Sequence, residues 1–302
     1  MEIKAKDVMA LREATGCGMM DCKKALVDAN GDMDKAIEIL REKGLAKAEK
    51  KAGRIAAEGL AYAEVKGNAG AVVEVNSETD FVAKNEIFQN FVHKVTDVII
   101  DKAPADLGAL AGCEMDGTTV EETRKALVGK IGENIQIRRF TRYEGIPCAY
   151  VHGGGTHAVL VNFALDPDKS SDPKFQEAAK DVCMQIAALY PQYVDRTQVP
   201  EAEVAHEKEI LTQQAINEGK PAEIAAKVVN GRINKFYKEV CLLDQDYVKD
   251  GDMTVGKYLD QVGREIGAKI TVKEFVRYER GEGIEKREDN LADEVAKLTG
   301  KK

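Results

Sequence analysis

Residues 131–144 read I-G-E-N-I-Q-I-R-R-F-T-R-Y-E, and residues 266–279 read I-G-A-K-I-T-V-K-E-F-V-R-Y-E. Seven of the fourteen positions are identical, and Ile137/Val272 and Arg138/Lys273 are close substitutions. The alternation of Ile135 and Ile137 shifts phase before Phe140, and that of Ile270 and Val272 shifts likewise before Phe275. A shared irregularity argues for common structure more strongly than shared apolar residues do. Further upstream, A-Y-A-E-V-K-G…A-V-V-E-V-N at 61–76 is echoed by A-Y-V-H-G-G-G-T-H-A-V-L-V-N at 149–162. Each unit reads as a hairpin, a helix and a closing strand. The predicted fold class is therefore α+β, with two repeated subdomains built on antiparallel sheets. Core subdomain N is expected at 57–145, and core subdomain C at 146–200 and 239–280.

Working outward, residues 1–45 read as a three-helix module. Val8 and Leu11 mark one face of the first helix, which stops at Gly16-Cys17-Gly18. The second runs from Met19 to about Ala29 and ends at Asn30-Gly31. Asp32 caps a third, with Ala36, Ile39 and Leu40 inward and Gly44 closing it. A basic helical linker follows at 46–56. The second subdomain is interrupted at 201–238 by two helical stretches broken at Gly219-Lys220-Pro221, a helical hairpin. Val204, Ile210 and Leu211 form the apolar stripe of its first arm, and Ile224, Val228 and Phe236 that of its second. Such a stripe packs on itself or meets a second subunit. Residues 281–302 form a charged C-terminal module and tail, expected to be a surface helix after Gly283.

Composition excludes several classes. The chain has 302 residues, 44% of them hydrophobic and 32% charged, as expected of a globular protein with more than one core. No apolar run approaches the roughly 18–20 residues of a membrane span. The N-terminal M-E-I-K-A-K-D lacks the apolar region of a signal peptide, so a cytoplasmic protein is expected. A net charge of −8 argues against a nucleic-acid binder. The basic K-A-E-K-K-A-G-R at 47–54 reads either as a solvated helix end or as a local patch. The six cysteines lack zinc spacing, and the four histidines, 93, 152, 157 and 206, fall in no metal motif. Neither a phosphate-binding loop nor a nucleophile elbow is present. Neither a cofactor nor a metal is expected. Asp80 with His152 or His157 would be an acid–base pair only if the fold brought them to a nucleophile.

One loop stands out. Residues 74–85 read E-V-N-S-E-T-D-F-V-A-K-N. The run Ala71, Val73, Val75 ends at Asn76-Ser77, so Thr79, Asp80, Phe81 and Val82 lie near the exit of a strand. A carboxylate beside a large ring there is either core edge or binding tip. This segment resembles the T-D-F-V-A-K segment of the bacterial elongation factor Ts family. L-R-E-A-T-G-C-G-M-M-D-C-K-K-A-L at 11–26 is similar to that family's opening helix-turn-helix. V-G-K-I-G-E-N-I-Q-I-R-R at 128–139 is similar to its central segment, and G-E-G-I-E-K at 281–286 to its C-terminal end.

The resemblance implies a UBA-like N-terminal module and a guanine nucleotide exchange factor with no chemistry of its own. Its partner would be elongation factor Tu, GDP-bound or nucleotide-free, and neither nucleic acid nor membrane is expected as a direct partner. The factor would loosen the Mg²⁺ and phosphate end of the partner's nucleotide site and so let GTP rebind. Phe81 would be the wedge, with Thr79, Asp80 and Val82 around it. Arg12, Met19 and Met20 match residues that face the partner, although methionines in a helix also serve as core. His152 matches a partner-facing hairpin residue and reads equally as an ordinary turn residue. Ile131 matches an apolar residue near the wedge, yet its return as Ile266 ties the position to the fold as well. The 201–238 hairpin corresponds to a coiled-coil hairpin used for homodimerisation in some members.

Overall fold

The computed structural model describes residues 3–219 and 221–285. In chain order these form α1 (Ala5–Thr15), α2 (Met19–Asp28), α3 (Met33–Lys51), β1 (Glu58–Lys66), β2 (Ala69–Ser77), α4 (Asp80–Ala83), α5 (Glu86–Lys102), α6 (Leu107–Gly112), β3 (Glu114–Met115), β4 (Thr118–Thr119), α7 (Val120–Ile131) and β5 (Gln136–Glu144). There follow β6 (Ile146–His152), β7 (His157–Ala164), α8 (Pro173–Leu189), α9 (Glu201–Asn217), α10 (Ala222–Val240), β8 (Asp246–Tyr247), β9 (Asp250–Thr254), α11 (Val255–Ile266) and β10 (Thr271–Glu279). The mixture of helices and antiparallel sheets is the predicted α+β class. The charged tail expected after Gly283 falls mostly at 286–302 and, like the side chain of Ile224, lies outside what the structure describes.

The repeat is visible in topology. One three-stranded sheet has the order β1-β2-β5 and the other β10-β7-β6, so in each the second hairpin strand is central and the closing strand flanks it. α5 and α8 are both 17 residues long, capped by Asn85 and Asp172, and both end on a left-handed residue, Ala103 and Tyr190. α7 and α11 are capped by Thr119 and Thr254 and stopped by left-handed Gly132 and Gly267.

The correspondence also extends further forward than the echo at 61–76. Glu58-Gly59 opens β1, and Glu144-Gly145 closes β5 just ahead of β6. Asn76 donates to the Glu58 carbonyl and Asn162 to the Glu144 carbonyl. Gly59 sits at φ +114°, where a Cβ would stand 2.1 Å from the Val75 carbonyl oxygen. Gly145 sits at φ +137°, facing Asn162. No L-residue takes either place without strain.

Two compact units divide the chain, and the division cuts β1, β2 and β5 within their length and separates the last residue of β10 from the rest. The first holds residues up to Ala61, Val73–Arg139 and the described residues from Glu279 on; the second holds Tyr62–Val72 and Phe140–Tyr278.

In the first unit, Val8, Leu11, Ala25, Leu26, Ala36 and Leu40 are buried together between α1, α2 and α3. Gly16 ends α1 in the left-handed conformation, and the Asp32 side chain accepts from the Lys35 amide at the start of α3. One expectation is corrected: Gly44 does not close the third helix, which runs unbroken to Lys51. A Cβ on Gly129 of α7 would lie 2.9 Å from the Gly44 Cα. Gly44 therefore serves a close helix crossing, not a helix stop.

At the centre of this unit is Glu74, fully buried on β2. It accepts from Arg138 Nη1 at 3.1 Å, Arg139 Nε at 2.6 Å, the Gly281 amide at 2.8 Å and Asn76 Nδ2 at 3.0 Å. Arg138 and Arg139 go on to the Glu282 carbonyl and carboxylate. The C-terminal G-E-G segment is thereby fixed to the sheet.

In the second unit, Phe163 and Phe175 meet edge to face at 5.4 Å, in a core that includes Val182, Ile186, Leu259 and Val262. Asp181 is buried among Tyr247, Tyr258 and Lys249, which all donate to it. β6 and β7 pair antiparallel from Ile146↔Phe163 to His152↔His157, which makes Gly153-Gly154-Gly155 the hairpin turn. α9 and α10 form the hairpin, but its seam is Leu211 against Val229 and Ile233, with Val204, Phe236 and Tyr237 at the margin. Ile210, expected in the stripe, is 39% exposed: successive residues on a helix are about 100° apart, so Leu211 and Ile210 do not share a face.

Removal of the Glu74 carboxylate takes the buried counter-charge from two part-buried guanidinium groups, although Arg139 keeps the Glu282 carboxylate. Glu74→Ala is expected to lower unfolding free energy by roughly 3 kcal/mol, read by urea denaturation. It should also deprotect the Gly281 amide in hydrogen exchange. Wild-type stability in that variant would show that the cluster is not a keystone of the unit.

Candidate functional site

β2 leaves the sheet at Ser77, and two residues later the chain enters the four-residue helix α4. Ser77 Oγ donates to the Thr79 carbonyl at 3.0 Å. The Thr79 amide donates to Glu133 Oε2 at 3.0 Å, and its hydroxyl to Glu133 Oε1 at 2.7 Å. The neighbouring Glu78 accepts the Asn134 amide at 2.7 Å. Asn134 in turn donates its side chain to the Arg54 carbonyl at 2.8 Å. These bonds join the exit of β2 to the residues just after the Gly132 cap of α7.

On this base, adjacent side chains point opposite ways. Val82 and Ala83 are buried, whereas Phe81 is 79% exposed. The core-edge reading of Phe81 therefore falls, and Val82 is an anchor for the loop, not part of its surface. Asp80 is half-buried and forms an ion pair with Lys84 at 2.6 Å, one turn along. The Lys84 ammonium holds the Asp80 carboxyl below its ordinary value of 3.8.

The other candidates divide between the two units. In the first, Arg12 is exposed in the last turn of α1. Met19 and Met20 are both exposed, by 41% and 74%, in the first turn of α2. The core reading of these methionines is thus wrong for both. Ile131, the last residue of α7, is half-buried. In the second unit, His152 is exposed at the end of β6, its Nδ1 2.9 Å from Tyr150 Oη. His152 also stacks on His157, whose ring faces the Arg277 guanidinium.

Part of the basic stretch is turned to internal use. Lys51 donates to the Gly132 carbonyl, and Arg54 pairs with Glu78. Among the described residues, no cluster of His, Cys, Asp or Glu could hold a metal ion, and no helix is long and apolar enough to cross a membrane.

The residues that sequence reasoning passed over are Glu78, Glu133 and Asn134. They stand inside the recognisable segments but carry no motif chemistry of their own. Only the fold shows that they meet.

The model of the family described as "Elongation factor TS" matches residues 78–282, a span that begins at Glu78 and takes in Phe81 and Glu133. The elongation factor Ts of Symbiobacterium thermophilum is 52% identical over 308 residues, covering 100% of this chain and 99% of the relative. That of Clostridium perfringens strain SM101 is 50% identical over 305 residues, covering 99% of this chain and 100% of the relative. That of Clostridium botulinum strain Eklund 17B is 48% identical over the same length. With about half of its residues identical to those of these relatives along its whole length, the chain belongs to the elongation factor Ts family.

Proposed function

We propose that this chain is the guanine nucleotide exchange factor of elongation factor Tu, and that Phe81 is the element that dislodges GDP. The observation that carries the reading is the 79% exposure of that ring on a loop held by five internal hydrogen bonds. A large aromatic ring presented to water on a fixed base is available to fill a pocket on a partner, the kind of anchor that carries most of an interface's energy. Inserted beside the partner's Mg²⁺ site, it acts on a hard, octahedral ion that neutralises the diphosphate. A displacement of about an ångström there removes much of the ion's contribution. The factor makes and breaks no covalent bond. Because coupling is reciprocal, GDP or GTP weakens the factor's binding as much as the factor weakens theirs, so incoming nucleotide expels the factor and completes the cycle.

Arg12, Met19 and Met20 provide a second contact on the same partner. Two adjacent exposed methionines suit an adaptable apolar surface. Ile131 and His152 are secondary contacts in this reading. Ile210 and Ile216, exposed on α9, support self-association of the hairpin.

Burial of a phenylalanine contributes roughly 1.5–3 kcal/mol, and about 1.4 kcal/mol is tenfold in equilibrium. Phe81→Ala is therefore expected to slow release of fluorescent GDP from elongation factor Tu by about one to two orders of magnitude. Its melting temperature should stay at the wild-type value, because the ring supports no core. Folded wild-type chain that fails to accelerate release would sink the exchange reading. Met20→Ala should raise the half-saturating concentration of the factor by about tenfold with little change in the maximal rate. An unchanged half-saturating concentration would remove α2 from the interface.

The Asp80–Lys84 pair gives a pH test. The folded carboxyl titrates below 3.8, so the pair holds from neutral pH down past that value and is lost only as pH falls through the lowered pKa. Lys84→Ala should return the Asp80 titration toward 3.8, read by carboxyl NMR. An unmoved titration would mean that Lys84 is not the cause.

A further inference from the structure

The two copies of the repeat differ at the base of the Phe81 loop. In the first copy the loop after β2 and the loop after α7 exchange bonds reciprocally. Glu133 accepts the amide of Thr79, and Glu78 accepts the amide of Asn134. Each carboxylate thus takes the N–H of the residue that follows the other carboxylate.

The second copy can be placed in register by two structural marks. Asn162 holds the Glu144 carbonyl as Asn76 holds the Glu58 carbonyl, so Ala164 and Leu165 occupy the places of Glu78 and Thr79. Gly267 caps α11 as Gly132 caps α7, so Ala268 and Lys269 occupy the places of Glu133 and Asn134. The second copy therefore builds the same strand order with alanine at both carboxylate positions. The brace is not a requirement of the fold. Thr79 points the same way: it is the N-cap residue of α4, yet it makes no side-chain cap. A threonine there ordinarily turns its hydroxyl onto the helix, and this one turns it onto Glu133 at 2.7 Å.

We propose that Glu133, reciprocated by Glu78, is a positioning residue for nucleotide exchange: its carboxylate fixes Thr79 and thereby the direction in which Phe81 projects. The proposal rests on the reading of Phe81 as the exchange wedge. A ring on a slack loop binds by first being ordered, and that loss comes out of the work done on the partner. A carboxylate that accepts two bonds from one residue supplies the order in advance, through charge-assisted hydrogen bonds.

The test is a double-mutant cycle on GDP release from elongation factor Tu, with the full chain as wild type, Glu133→Ala, Phe81→Ala and the pair together. Glu133→Ala is expected to lower the maximal release rate by about tenfold, with the half-saturating concentration changed by less than about threefold. In the Phe81→Ala background it should have no further effect, because the group that it positions is gone. Glu133→Gln, which keeps one oxygen acceptor and the shape, should recover part of the rate, and it replaces Glu133→Ala in the cycle if the alanine variant does not fold. Full activity of the folded variants overturns the proposal. So does the same fractional loss with and without Phe81, which would make Glu133 a general stabiliser. Absence of acceleration by wild type overturns the exchange reading and the positioning role with it, whereas a fast wild type with an indifferent Glu133 overturns the positioning role alone.

Discussion

Glu74 lies on the middle strand of its sheet, wholly shielded from water, and Arg138, Arg139, Asn76 and the Gly281 amide converge on its carboxylate. A buried charge is tolerated only when opposite charge and hydrogen bonds surround it. Here, apart from Asn76 on the same strand, those partners come from β5 and from the segment after β10, far away in the chain. The carboxylate therefore makes the middle strand, the closing strand and the C-terminal G-E-G segment mutually dependent. It also explains why β2 is buried along its whole length: its polar residues face an internal ion network, not solvent.

The Phe81 loop depends on that frame. β2 delivers Ser77 to a fixed place, and the end of α7 delivers Glu133 and Asn134 to meet it. α7 is itself held against α3 by the approach of Gly44 to Gly129. The exposed ring thus stands at the end of a chain of constraints that begins in the N-terminal module. In the proposed exchange mechanism the wedge has to be stiffer than the part it displaces, and the network under Thr79 would supply that stiffness.

The internal repeat separates what folding needs from what the loop needs. Both copies keep the buried asparagine, the preceding glutamate–glycine pair, the 17-residue helix and the left-handed glycine cap. These place strands and helices, and one side chain serves the same purpose in each. The carboxylates at 78 and 133 and the ring at 81 occur in the first copy alone. The second copy instead carries the α9–α10 hairpin between α8 and β8, seated on the buried Val199, Val240 and Cys241 beside a core that includes Phe163, Phe175 and Val182.

Much of this was legible in the residues. Periodicity and caps located α1, α2 and the start of α3, since Gly16, Asn30-Gly31 and Asp32 act through bonds to their immediate neighbours. The repeated fourteen residues announced two like subdomains, and Thr79-Asp80-Phe81 marked the loop. Local signals misled where a residue answers to a distant one. Gly44 looks like a helix stop because its partner is Gly129, and Ile210 looks like part of a seam because the facing helix was unknown. The burial and hydrogen bonding of Glu74 were equally hidden, because Arg138, Arg139 and Gly281 reach it only after the strands pair. What the sequence alone determined was the main elements, written in short-range spacing, and, through the resemblance of its motifs, the family and the loop. What only the tertiary structure decided was which way Phe81, Met19 and Met20 face and what holds the loop still, because burial and reciprocal hydrogen bonds exist only between segments that folding brings together.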